Sequence, residues 1–357
     1  MELRNTNLLF KSTQFVIDPD ELIRKLLASY VELESPAQRR GLLGHVIEAA
    51  FEGLDCRNDK VVAFYRRASL EIAKYVDAGK DGTSKNAYHF VCHFAEATSN
   101  FRALANYHNT LVAHGILPDH PILDQRAIAG GIFATCVHDI CHDGKTNMID
   151  RDYRPFRLEE RSIQQAPRWV TVRTSQEKTW LQNASNIVYG TDPRFAIFVR
   201  AWHDKHFEKG PRPGPLPEHL KKLAPVTEKA SKKTVLLGAL VQDADTAGSL
   251  IDRNWFIIFG RRVAAEMHQD PSDEKNSRYF LNEIQHGRST TFVARLVTDP
   301  LFASYGIRPT SGIRVARDHF FSLRGNYLDL PRIGDRDRRS RIAHNPAAHA
   351  HHPAFIS

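Results

Sequence analysis

The chain has 357 residues, 42% apolar and 25% charged, with a formal net charge of +8. This composition excludes a fibrous or low-complexity chain, and no apolar run approaches the roughly 20 residues that a membrane-spanning helix needs. The opening "MELRNTNLLFKSTQF" carries no apolar secretory core, and Cys56, Cys92, Cys136 and Cys141 lack the spacing of a disulfide framework, so reduced thiols and a cytoplasmic setting are expected.

In chain order, "DELIRKLLASYVEL", "PAQRRGLLGHVIEAAFEGL" and "NDKVVAFYRRASLEIAKYV" repeat apolar residues at three- and four-residue spacing, which predicts helices. Helix-compatible runs follow at 86–106, 123–142, 194–207, 234–242, 250–268 and 278–297. The one strand-like stretch is "PRWVTVRT" at 167–174. Residues 209–217 predict a loop, because repeated X-Pro steps disfavour helix. The tail "HNPAAHAHHPAFIS" reads as disordered. The fold class is therefore all-α. Much of the positive charge falls in the Lys- and Pro-rich 205–233 and in 332–341. No basic stripe interleaves with aromatics, so no nucleic-acid partner is expected.

The informative stretch is "FATCVHDICHDGKTN" at 133–147, where an apolar run ends in His138, Asp139, His142 and Asp143. Buried carboxylates beside imidazoles are costly unless a cation compensates them, and a metal ion is the simplest such cation. Further ligands must then come from elsewhere. His89 and His93 in "YHFVCHFAEA" are four apart, so on a helix they project side by side. His108 and His114 in "YHNTLVAH" are six apart and diverge. "LLGALVQDADTAGSL" at 236–250 supplies a carboxylate, Asp243 or Asp245, between which spacing does not choose.

These residues together resemble the HD superfamily of metal-dependent phosphohydrolases, and within it the class I cyclic-nucleotide phosphodiesterases. "YHFVCH" is similar to that family's Tyr-His-Asn-x-x-His motif except at Phe90. "HDICHDGKTN" meets His-Asp-x-x-His-x-Gly-x-x-Asn at every fixed position. "ADTAG", "NWFIIFGRRVAAEM", "EIQHGRS" and "ARDHFFS" resemble later segments of the same domain. The resemblance covers roughly residues 85–330. It implies an N-terminal helical part (1–84) of the same compact multi-helix domain, a catalytic core (85–330) and a basic, His-rich tail (331–357).

The resemblance further implies two divalent ions. His93, His138, Asp139 and Asp245 would hold the tighter one, zinc, and Asp139 would bridge to magnesium or manganese. His89 would be the general acid, Glu159 the carboxylate orienting it, and His142 a support hydrogen-bonded to the second ion's water. Tyr88 would line the pocket and Gln285 would bind a purine. Arg288 stands where the family has a phenylalanine clamp, and it can stack on a base or meet an anionic group. The implied reaction is hydrolysis of cAMP or cGMP to the 5′-monophosphate by a water activated between the ions, with histidine protonating the leaving alkoxide. The substrate is a small nucleotide, and the oligomeric state is left open. Alternatives are an HD-type nucleotidase or other phosphoester hydrolase, a di-iron oxidase in which extra histidines bind the second ion, or a catalytically degenerate nucleotide-binding protein.

Overall fold

A computed structural model of the chain describes residues 41–113, 115, 117–145, 147–149 and 152–250, with 262, 263, 265, 266, 291, 293 and 294. The helix expected in "DELIRKLLASYVEL", the residues Gln285 and Arg288, the 316–322 segment and the tail lie outside the described residues.

The protein is all-α. Its helices among the described residues include α1 (Leu42–Ala50), α2 (Lys60–Asp77), α3 (Val91–Ala113), α4 (Gln125–Val137), α5 (Arg157–Trp169), α6 (Ser175–Val188), α7 (Ala196–Phe207) and α8 (Lys232–Leu250). Short 3-10 turns at Tyr189–Thr191, Pro193–Phe195 and Glu218–Val226 join the later ones. Among the described residues the only sheet is a hairpin of two two-residue strands, β1 (Met148–Ile149) and β2 (Asp152–Tyr153).

Polar caps set several helix starts. Asp59 accepts hydrogen bonds from the Val61 and Val62 N–H groups at α2, and Asp124 accepts from the Ala127 N–H at α4. At α6, Thr174 accepts from the Glu177 N–H, while the Glu177 carboxylate returns to the Arg173 N–H.

α3 runs through the centre, and most of its 23 residues are buried, polar ones included. It packs against α1, α4 and α8, while α2 and α6 lie on α4, and α7 lies on α8. Gly131 makes the α3–α4 crossing possible. A Cβ there would stand 2.0 Å from the Phe101 ring, which is itself fully buried. This close approach brings the N-terminal half of α3 beside the C-terminal end of α4, where the chemistry lies.

Three expectations are corrected. The stretch 167–174 is not a strand: Pro167 and Trp169 close α5, and Thr171 donates its N–H to the Glu71 carboxylate rather than to a neighbouring strand. The helix expected over 86–106 starts at Val91 and continues to Ala113, so His89 lies ahead of it rather than one turn from His93 on it. The run at 123–142 is helical only as far as Val137, leaving His138–Cys141 in a turn. Residues 209–217 form the expected loop. The four cysteines are free thiols, and no helix among the described residues is long and apolar enough to cross a membrane.

Candidate metal centre and the His89–Glu266 pair

α4 is apolar on every side and wholly buried from Ile128 to Val137, so its C-terminal end meets the interior. A helix C-terminus carries partial negative charge that favours a cation. His138 caps it, and its Nδ1 lies 2.8 Å from the Thr135 carbonyl. That bond places the ring proton on Nδ1 and leaves Nε2 to face the site.

Four donors converge there. His93 Nε2 lies 3.0 Å from His138 Nε2, 3.1 Å from Asp139 Oδ2 and 3.1 Å from Asp245 Oδ1. His138 Nε2 lies 3.0 Å from Asp139 Oδ2 and 3.4 Å from Asp245 Oδ1. One ligand atom from each of the four falls within 4.8 Å of all the others. They come from three elements: α3, the turn after α4, and α8. Asp243, the other acid of α8, turns away and accepts hydrogen bonds from the Thr291 N–H and hydroxyl at 2.7 and 2.6 Å. Geometry thus separates the two acids that spacing alone did not.

The two carboxylates and the two imidazoles hold one another charged against their burial. Burial opposes charge on His93, but the Asp139 and Asp245 carboxylates outweigh it and raise its pKa to about 9. Burial likewise opposes ionisation of Asp245, yet the two imidazoles bring it down to about 2. Asp139 is held well below the usual carboxylate range by His138 and His89, against its burial. Two carboxylates packed this closely need positive charge between them, which imidazolium protons or a bound cation in their place can supply. Their mixed N/O donor set suits zinc or another borderline divalent ion.

Asp139 also belongs to a second group of donors, with His89 and His142. His89 Nε2 is 3.7 Å from Asp139 Oδ2. The His89 and His142 rings stack at 3.7 Å with a 20° interplanar angle. Burial and the neighbouring His89 push the His142 pKa down to about 3, so its imidazole is neutral, and its Nδ1 accepts the Gly144 N–H at 3.1 Å. Two left-handed residues shape this turn, Cys141 (φ 62°) and Gly144 (φ 71°). A Cβ on Gly144 would also lie 3.2 Å from the Asn86 side-chain oxygen, so glycine suits this motif position on two counts.

The carboxylate that meets His89 is Glu266, not Glu159. Glu266 Oε1 lies 2.5 Å from His89 Nδ1, and its Oε2 accepts the Tyr88 and His89 N–H groups at 2.7 and 2.9 Å. Burial would raise the Glu266 pKa, but the His89 contact prevails and lowers it to about 2. Glu159 instead joins a buried polar network. Asn147 Nδ2 donates to Glu159 Oε2 at 3.2 Å and to Asp192 Oδ2 at 3.0 Å, and Asn147 Oδ1 accepts the Leu158 N–H. Tyr153 donates to Asp192 as well. Burial and the facing Asp192 push Glu159 well above the usual range. The final asparagine of the central motif is therefore a clamp between the hairpin, α5 and the loop at Asp192. No local pattern points to Glu266, which lies far along the chain from His89; the one available signal is that it is the only acid in "NWFIIFGRRVAAEM".

Tyr88 is buried, with its ring centre 4.7 Å from those of both His89 and His93. Phe90 is buried too, and the Arg262 guanidinium stands over its ring at 5.5 Å.

No family model matches the sequence, and no curated protein matches it significantly. Among solved structures the chain is similar to LmjPDEB1 in complex with IBMX, at 10% identity over 96% of this chain and 98% of that one, with a TM-score of 0.47. It is also similar to the phosphodiesterase domain of the RhoPDE fusion protein from the choanoflagellate Salpingoeca rosetta. There the identity is 13%, over 93% of this chain and 95% of that one, with a TM-score of 0.39.

Proposed function

We propose that this chain is a metal-dependent phosphodiester hydrolase that opens a 3′,5′-cyclic nucleotide, cAMP or cGMP, to its 5′-monophosphate. The observation that carries the reading is the convergence of His93, His138, Asp139 and Asp245 on one point, with the His89–Glu266 pair beside Asp139. Held by these four residues, zinc, together with magnesium or manganese at the neighbouring position, would supply charge neutralisation at the phosphoryl oxygens and a water acidified toward neutrality. Asp139 suits a bridge because its carboxylate has two oxygens and lies between the His93–His138–Asp245 cluster and His89.

His89 is the general acid. Glu266 holds its Nδ1, so Nε2 faces the Asp139 side and is the atom that delivers a proton to the departing 3′ oxygen. His142, neutral and stacked on the same ring, restrains the imidazole without adding charge. The burial of His93, His138 and His142 limits bulk water around the reacting groups. Gln285, Arg288 and Tyr88 are assigned to the nucleotide, Gln285 to a purine edge and Arg288 to its face or an anionic group.

The di-iron oxidative reading draws on the His89–Asp139–His142 group. The ring stacking weighs against it, because in-plane lone pairs of nearly parallel, stacked rings do not converge on one ion. An assay panel of cyclic and linear nucleotides, with product identification, separates the readings. Formation of 5′-AMP or 5′-GMP from the cyclic substrate supports hydrolysis of the diester. Release of inorganic phosphate from monoesters alone points to a nucleotidase. Tight binding without turnover under zinc, magnesium and manganese points to a degenerate site.

A further inference from the structure

We propose a second, separate metal site, built by α7 and the 117–124 segment, that takes a zinc-like divalent ion on imidazole and carboxylate donors. His203, Asp204 and Glu208 each bring one ligand atom within 4.8 Å of the others. His203 is completely buried, Asp204 half-buried and Glu208 exposed, so the group runs from the interior to the surface. His203 Nδ1 lies 3.4 Å from Asp204 Oδ1.

The fourth donor is His120. Its Nδ1 is buried and has no hydrogen-bond partner, an expensive state for a polar atom unless something binds there. The His120 and His203 rings meet edge-on, 6.3 Å apart and inclined by 65°. Two imidazoles on one tetrahedral ion keep their ring centres about 5 Å apart, so closure requires a shift of roughly one ångström. His108 is the anchor. Its Nε2 donates to the Pro121 carbonyl at 3.0 Å and ties the segment carrying His120 to α3. Asp119 adds negative charge nearby and Lys232 opposes it.

This site cannot be the catalytic cluster. His93 and His108 are 15 residues apart on α3, about 22 Å along the helix at 1.5 Å per residue. An ion here would staple the segment after α3 to α7, and its binding free energy would add to the stability of the folded chain.

The test is a titration of the full-length protein with Co²⁺ and Zn²⁺, following visible absorption, bound equivalents and thermal unfolding. Wild type is compared with Glu208→Gln and His120→Gln. Glu208 is exposed, so its variant folds whatever His120→Gln does. The expected result is at least tenfold weaker binding of one equivalent in Glu208→Gln, with loss of part of the zinc-induced rise in Tm. Turnover at the catalytic cluster stays unchanged, and the same equivalent is missing from His120→Gln. Equal stoichiometry and affinity in wild type and Glu208→Gln would overturn the proposal.

Discussion

Glu266→Gln is the most discriminating single substitution. The glutamine oxygen can still accept the Tyr88 and His89 N–H groups, which stand 2.7 and 2.9 Å from the native carboxylate. What is lost is the charge facing His89 Nδ1 at 2.5 Å. A hydrogen bond to a charged group contributes about 1.5–3 kcal/mol net. If that interaction is realised while His89 gives up its proton, kcat should fall roughly 10- to 100-fold, at about 1.4 kcal/mol per decade. KM and metal content should hardly change, because Glu266 is not one of the four clustered ligands. Steady-state kinetics with metal analysis on the same preparation measures all three. The double variant with His89→Ala completes the test, since residues acting as a unit lose activity only once. Additive losses in the double variant, or loss of metal from Glu266→Gln, would refute the pairing.

Asp245→Asn should abolish tight metal binding and turnover, whereas Asp243→Asn should keep the metal and lose only stability, since Asp243 is engaged with Thr291; metal content of the purified variants decides. Gly131→Ala forces a methyl to 2.0 Å from the Phe101 ring and should destabilise the fold by about 3 kcal/mol in denaturant titrations, weakening metal retention as α3 and α4 separate. Asp77 accepts the Leu43 and Gly44 N–H groups at the start of α1, and burial raises its pKa to about 6. Its stabilising contribution is thus complete below its unfolded pKa of about 4 and is lost as pH rises through 6. Wild type should therefore lead Asp77→Asn by more at pH 4.5 than at pH 7 in urea unfolding, and the opposite slope would contradict the assignment.

Helical periodicity and the dense His-Asp motif made the helices and the cluster legible, because both are local patterns. The motif's fixed glycine and asparagine were legible as letters only. Their reasons, a left-handed turn at Gly144 and a clamp at Asn147, depend on Asn86, Glu159 and Asp192 from elsewhere in the fold. Glu159 was misread for the same reason. An acid near the motif in sequence is drawn into a buried network, while the acid that reaches His89 stands 177 residues away. The helix start was misplaced because "NAYHF" is compatible with helix, whereas Glu266 takes the Tyr88 and His89 N–H groups and holds that segment outside α3.

Anomalous diffraction from crystals of untagged protein tests the metal centre most directly. The expected result is a strong peak bonded to His93 Nε2, His138 Nε2, Asp139 and Asp245 at about 2.0–2.2 Å, with a weaker neighbour on the far side of Asp139. Density showing the four side chains locked together as hydrogen-bonded ion pairs, with no anomalous signal in zinc- or manganese-soaked crystals, would contradict it.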